Sequence, residues 1–213
     1  MSVRIHSALL LQELRDPAGI ASGNVPRVVF AGRSNVGKSS LINALLNRRD
    51  LVRTSSTPGC TRAIRCVQVE VSLPRDQRAA DGATKECLRL ELVDLPGYGY
   101  ARRSKRERER WRSLIEAYLA RASPAGAVAI VDARHGPTAS DTQLMAFLEG
   151  LDIEILLAVT KLDKLSSSQR KPALSRIKRV GRHPVFGVSA TSKQGLGSLW
   201  RGIASLAAPP TLA

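Results

Sequence analysis

The sequence predicts an α/β fold of three layers, a mostly parallel sheet covered by helices on both faces and carrying one antiparallel strand. Three observations predict it. Short apolar runs alternate with segments of helical period along most of the chain. A glycine-rich turn joins the first of these runs to the first helix. Two β-rich runs then follow one another with only a polar loop between them, the arrangement of an antiparallel hairpin set into a parallel sheet.

The elements follow in order. Residues 25–31 form a short apolar strand ending at Gly32, and 39–46 read as a helix. Residues 62–71 and 87–93 are the hairpin strands, with 74–85 as their loop. The segment 104–122 carries Trp111, Leu114, Ile115, Tyr118 and Leu119 at helical spacing, a stripe that faces a core. Strands at 127–131, 153–160 and 185–189 are separated or followed by helices at 140–149, 167–180 and 195–207. No internal repeat and no linker divides the chain. The expected organisation is an N-terminal extension over 1–24, one domain over 25–208 and a tail over 209–213.

Composition narrows the class. At 213 residues with 43% apolar content, the chain can bury a full core, and 4% aromatics leave that core to Leu, Val, Ile and Ala. Lys and Arg number 33 against 18 Asp and Glu, a net charge of +15 and a pI near 10.8. Such an excess favours a polyanionic partner, although a basic, soluble surface explains it equally well. Cys60, Cys66 and Cys87 show no metal-binding spacing and read as reduced thiols. No apolar run approaches the roughly 18 residues that span a bilayer, and Ala8–Leu11 followed by Glu13 does not resemble a secretion signal. The expectation is a cytoplasmic monomer without a membrane partner.

The chemistry is concentrated in five short segments. Gly32, Arg33, Ser34, Asn35, Val36, Gly37, Lys38 and Ser39 satisfy GxxxxGK[ST] in full, between a strand and a helix where the motif must sit. Glycines let the backbone turn so that successive N–H groups face a phosphate; Lys38 adds charge toward the β and γ oxygens, and the Ser39 hydroxyl is a hard ligand for Mg²⁺. The motif specifies a nucleoside triphosphate, not its base. Asp94, Leu95, Pro96 and Gly97 end a strand. A carboxylate there can hold a water on Mg²⁺, and the Gly97 N–H can sense a γ-phosphate; a plain strand ending is the alternative. Thr160, Lys161, Leu162 and Asp163 close another strand, and a carboxylate at Asp163 can accept both guanine N1–H and N2–H₂, a donor pair that adenine lacks. The Lys161 stem would lie along the purine. Ser189 and Ala190 could offer a backbone N–H to guanine O6. In the polar loop Thr57–Thr61 a Thr hydroxyl could complete the Mg²⁺ shell, or the segment is an ordinary turn. Each pattern recurs by chance; five in this order specify a GTPase of the P-loop class with a Ras-like fold.

The segments GRSNVGKSSLIN, DLPGYGYA, SKRERERWRSLIEAYL, VDARHGP and TKLDKL together resemble the EngB-type (YihA/YsxC-like) bacterial GTPases, from about Pro26 to Leu199. The resemblance implies the TRAFAC class, Mg²⁺ held by Ser39 and Thr61, a role in large ribosomal subunit assembly, and a link to cell division and septation. The catalytic positions expected from the residues are Lys38, which with Mg²⁺ and the phosphate-loop amides stabilises charge, and Thr61 and Gly97, which bind the γ-phosphate; the sequence names no general base. Ser40, Gly59, Cys60 and Thr191 join the nucleotide-binding set. Cys60 stands where a basic residue is common in that family and Arg62 where Gln is common, and the 74–85 loop is longer than usual.

Tyr98 follows the DxxG segment where many signalling GTPases place a water-orienting Gln, so slow intrinsic hydrolysis is expected, completed by a partner or a cation. Asn35 suggests K⁺, as in related GTPases; a loop residue bonding its own backbone explains it as well. From Arg102 to Arg112 the chain carries seven Lys or Arg and two Glu, and 170–182 adds Arg170, Lys171, Arg176, Lys178, Arg179 and Arg182. These stretches favour rRNA or a large-subunit precursor as partner, against the alternative of solvated helix faces. A nucleotide-gated protein of the division machinery, with incidental hydrolysis, is the second functional class.

Overall fold

The computed structural model describes residues 3–16, 19, 25–52, 63–74, 85–98, 105–179 and 182–208, with the backbone alone at 85, 105–108, 110 and 111. Its centre is a seven-stranded sheet in the order β1-β3-β4-β2-β5-β6-β7. The strands are β1 (Arg4–Leu14), β2 (Arg27–Gly32), β3 (Ile64–Pro74), β4 (Lys85–Asp94), β5 (Gly126–Asp132), β6 (Ile155–Thr160) and β7 (Val185–Gly187). β3 runs antiparallel to both β1 and β4, while β4, β2, β5, β6 and β7 are mutually parallel. The single reversed strand is therefore β3, as expected from the hairpin.

Two-residue periodicity builds the layers. Val28 and Phe30 of β2, Val128 and Ile130 of β5, and Leu156 and Ala158 of β6 point to one face. There they meet Leu41, Ile42 and Leu45 of α1 (Lys38–Leu45) and Leu199, Trp200 and Ile203 of α5 (Leu196–Ala207). The alternate residues Val29, Ala31, Ala129, Val131, Leu157 and Val159 face the other way. They pack on Ile115, Tyr118 and Leu119 of α2 (Lys105–Ala122), Leu144 and Leu148 of α3 (Ala139–Glu149), and Ile177 of α4 (Ser167–Lys178). The expected α2 stripe is buried at Ile115, Tyr118 and Leu119, with Leu114 half-buried. Trp200 Nε1 donates to the Leu45 carbonyl at 3.1 Å and so ties α5 to the end of α1.

The sequence pattern assigns no element to the N-terminal segment, yet the structure places the 11-residue strand β1 there as the edge of the sheet. Its register against β3 shifts between Ile5 and Ser7 and again between Leu10 and Gln12. Each irregularity moves the apolar residues onto the opposite phase, so no simple alternation survives in the sequence. The cysteines Cys66 and Cys87 are free thiols, buried and exposed respectively. Among the described residues no helix is long and apolar enough to cross a membrane.

Candidate functional site

The site forms at the carboxyl ends of β2, β4, β5 and β6, where turns leave the sheet toward the helices. β2 ends at Gly32, and a Cβ there would stand 2.9 Å from Val36 Cγ1 and 3.1 Å from Ile130, so the turn can close only over glycine. Asn35 (φ 63°) and Gly37 (φ 97°) take left-handed conformations, the alternation that turns neighbouring N–H groups toward one concavity. Lys38 and Ser39 open α1, and their first-turn N–H groups have no acceptor within the helix.

The loop is clamped from outside by the segment after β6. Thr160, buried, donates its hydroxyl proton to the Val36 carbonyl at 2.7 Å, and Lys161 Nζ donates to the Asn35 carbonyl at 2.6 Å. With two carbonyls held on that side, the amides of the loop are left for the concave side. Lys161 itself sits at φ 61° and is fixed by Asp132 at the end of β5, whose Oδ2 lies 3.0 Å from Lys161 Nζ. Asp132 also accepts from Arg134, at 3.0 Å from its backbone N–H and at 3.0 and 2.7 Å from its guanidinium. Burial pushes the Asp132 carboxyl up, but the hydrogen bonds from Arg134 and Lys161 outweigh it and hold the group well below the usual carboxylate range.

On the other side of the loop stands Asp94, at the end of β4 and fully buried. Lys38 Nζ pairs with its Oδ1, and the Ser39 hydroxyl donates to Oδ2 at 3.3 Å. Leu95, Pro96 and Gly97 continue from it against the phosphate loop. The Leu95 N–H meets the Phe30 carbonyl at 3.1 Å, and the Ser34 N–H meets the Tyr98 carbonyl at 3.0 Å. A Cβ on Gly97 would lie 2.9–3.0 Å from Ser34 atoms, including its backbone. The Tyr98 hydroxyl is committed elsewhere: it donates to Asp141 Oδ1 at 2.7 Å, while Asp141 Oδ2 accepts from the Thr138 N–H and hydroxyl and faces Arg33 Nε at 3.2 Å. Burial, then the hydrogen bond to Asp141 and its charge, raises the Tyr98 phenol far above its ordinary value.

Asp163 lies in the short 3₁₀ turn Leu162–Lys164, with Leu162 buried beneath it and the Leu162 N–H bonded to the Val188 carbonyl at 3.3 Å. The fully buried Ser189 gives its hydroxyl proton to Asp163 Oδ1 at 2.7 Å. That bond, against a smaller opposing effect of burial, lowers the Asp163 carboxyl; its own N–H and the charges of Lys164 and Arg170 act in the same direction. An open cleft of about 530 Å³ adjoins this end, lined on α1 by Ser40 and after β7 by Ala190 and Thr191.

The expected site residues 32–40, 94–97, 160–163 and 189–191 thus come together at the carboxyl ends of the parallel strands. Gly59, Cys60 and Thr61 lie outside the described residues, as does the start of the basic run at 102–104. Within α2, Arg112 pairs with Glu116 at 2.6 Å on the exposed face, the solvated arrangement anticipated as the plainer alternative. Sequence reasoning gave no role to Asp132, Asp141 or Arg65. Asp132 stood inside VDARHGP, a signal present but uninterpreted; Arg65, and Asp141 beyond its local contact with Thr138, acquire partners only through the fold.

The residues fit a magnesium-bound nucleotide. Ser39 and Asp94 supply oxygen donors side by side, and no group of three or more His, Cys, Asp or Glu among the described residues could hold a metal by itself. One carboxylate and one hydroxyl suit Mg²⁺, which keeps waters and takes phosphate oxygens as further ligands.

The sequence model of the family described as "50S ribosome-binding GTPase" matches residues 27–161. "Probable GTP-binding protein EngB" of Pelotomaculum thermopropionicum is 41% identical over 198 residues, 91% of each chain. The protein of the same name from Streptococcus sanguinis is 37% identical over 96% of this chain and 99% of its own. The chain belongs to the EngB-type GTP-binding proteins. Its fold is that of P-loop GTPases: the crystal structure of Aquifex aeolicus Era Y63A bound to GDP·AlF₄⁻ superimposes with a TM-score of 0.65 at 21% identity, over 87% of this chain and 57% of Era.

The close approach at Gly97 yields a prediction. Gly97→Ala should push residues 95–98 away from 33–34 and remove the slow amide exchange of Ser34, whose N–H is held only while that contact persists. Exchange measured by NMR or mass spectrometry checks it; undiminished protection at Ser34 would contradict the contact.

Proposed function

We propose that the chain is a GTP-binding switch and a slow, Mg²⁺-dependent GTPase that acts in the cytoplasm, as a monomer, on a large ribosomal subunit precursor. In that role it would be needed for normal division and septation. The observation that carries the nucleotide reading is the meeting of Lys38 and Ser39 on the buried Asp94 carboxylate, beside a loop whose carbonyls are tied back. Binding a triphosphate would draw the Lys38 ammonium from Asp94 toward the β and γ oxygens, and the freed carboxylate would then hold a metal-bound water next to Ser39. When bound, Mg²⁺ neutralises charge on the transferred phosphoryl group. The amides of residues 35–39 and Lys38 share that stabilisation, and the Gly97 N–H and Thr61 would respond to the γ-phosphate.

Guanine selection rests on Asp163, whose Oδ1 is held by Ser189 while the side chain keeps 20% exposure for the base. Slow turnover is supported by Tyr98, whose hydroxyl is engaged with Asp141 rather than turned to an attacking water. The same observation favours the second reading, a nucleotide-gated binder with incidental hydrolysis. K⁺ assistance through Asn35 has weaker support, because the left-handed conformation at this position already favours Asn. The ribosomal partner is supported by the +15 net charge, by the described name of the matching family, and by Lys171, Lys178, Arg179 and Arg182 exposed on or after α4.

Asp163→Asn should weaken GDP binding about 100-fold or more while ADP binding stays weak, since a site built for a donor pair loses most when the acceptor is exchanged. Because the folded-state carboxyl is lowered, it stays ionised as pH falls. The preference for GDP over ADP should accordingly hold from about pH 8 to about pH 5 and be lost only as pH drops below the ordinary aspartate range. Titrations with both nucleotides across that range check both statements. Turnover in K⁺ should exceed that in Na⁺ at equal ionic strength, and equal rates would end the cation proposal. The chain should co-sediment with large-subunit precursors more with a GTP analogue than with GDP, and less as salt rises.

A further inference from the structure

Two charged residues outside every phosphate-binding motif, Glu13 and Arg65, form a row across the sheet from its edge to Asp94 in the nucleotide site. Glu13 of β1 faces Arg65 of β3, and Arg65 in turn faces Asp94 of β4, as partners in successive ladders. The side chains follow the register. Arg65 Nε donates to Glu13 Oε1 at 2.6 Å, and one terminal guanidinium nitrogen stands 3.8 Å from Asp94 Oδ2. That Oδ2 is the oxygen that accepts from Ser39. The Arg65 side chain is only 9% exposed and permanently charged, whereas Glu13 is 43% exposed. At 3.8 Å the contact with Asp94 is Coulombic, longer than a hydrogen bond, while the short bond to Glu13 holds the guanidinium on the edge side.

We infer that Arg65 is a positioning residue that opposes metal binding at Asp94, and that Glu13 on β1 sets the strength of that opposition. The inference rests on the reading of Asp94 as the carboxylate that holds Mg²⁺ through water. A fixed cation beside the oxygen that serves the metal's water repels the metal and competes for the same lone pairs. Glu13 draws the guanidinium toward the edge; loss of the Glu13 charge would weaken that pull and shift the balance toward Asp94. The edge strand, separated from β2 and the phosphate loop by β3 and β4, thereby sets the magnesium requirement of the nucleotide site.

The test is the affinity of the full chain for a fluorescent GDP analogue as free Mg²⁺ is varied, in wild type, Glu13→Gln, Arg65→Gln and Arg65→Lys. Glu13→Gln should raise the Mg²⁺ concentration at half effect and Arg65→Gln should lower it, each about three- to tenfold, the size expected of one nearby charge under partial screening. Arg65→Lys, which keeps the charge, should stay near wild type, and Glu13→Gln, on the edge strand, should leave affinity in EDTA unchanged. A purely structural role would shift both variants the same way or neither, and either result overturns the inference. If Arg65→Gln does not fold, Glu13→Gln decides alone, an unchanged or lowered requirement being the contrary outcome. A wild-type chain whose GDP affinity ignores Mg²⁺ overturns the metal reading of Asp94 itself, so the two failures are told apart.

Discussion

A carboxylate with no exposure to water must be paired, and Asp94 is such a carboxylate. Its partners define the site. Lys38 reaches it from the phosphate loop, Ser39 from the first turn of α1, and Arg65 from the neighbouring antiparallel strand. Removing one member of a buried charge pair costs about 3–5 kcal/mol, so the loop, the helix and the sheet are held in mutual register by the same group that is proposed to hold the metal's water. The parallel pairing of β2 with β4, which puts Phe30 opposite Asp94, brings the turn after β2 within reach of that group.

The opposite wall depends on the same loop from outside. Thr160 and Lys161 hold the carbonyls of Val36 and Asn35, and Asp132 with Arg134 holds Lys161. On the proposed reading, base recognition and phosphate binding would be mechanically joined, because the segment after β6 that carries Asp163 also fixes the phosphate loop. Ser189 completes the joint by orienting Asp163 from the end of β7. The switch side is joined in its turn through Tyr98, Asp141 and Arg33, which connect residues 97–98, the first turn of α3 and the phosphate loop.

Much of this was legible in the sequence, and for a physical reason. Gly32 and Gly37 set a local backbone turn, and Lys38 and Ser39 follow it at fixed spacing, so the motif is legible in the sequence alone. Apolar runs buried on both faces announce β2, β5 and β6, and the adjoining pair of β-rich runs announces the reversed strand β3. What stayed hidden depends on pairing between distant segments. β1 is masked by its register shifts, which scramble the alternation of Ile5, Ala8 and Leu14. Arg65 reads as one more basic residue until β3 is laid between Glu13 and Asp94. Asp141 looks like a helix-capping residue, which it is, and only the fold adds Tyr98 and Arg33 to it. Tyr98 was legible as a departure from a water-orienting Gln, but where its hydroxyl goes was not.

The account stands or falls on a triphosphate gripped beside Asp94 and a purine read at Asp163. Calorimetric titration of the purified chain with GTP and with ATP, each with and without Mg²⁺, measures both at once. The account predicts that GTP binds at least about a thousandfold more tightly than ATP and that Mg²⁺ strengthens GTP binding. Equal affinity for the two nucleotides, indifferent to the metal, would contradict it.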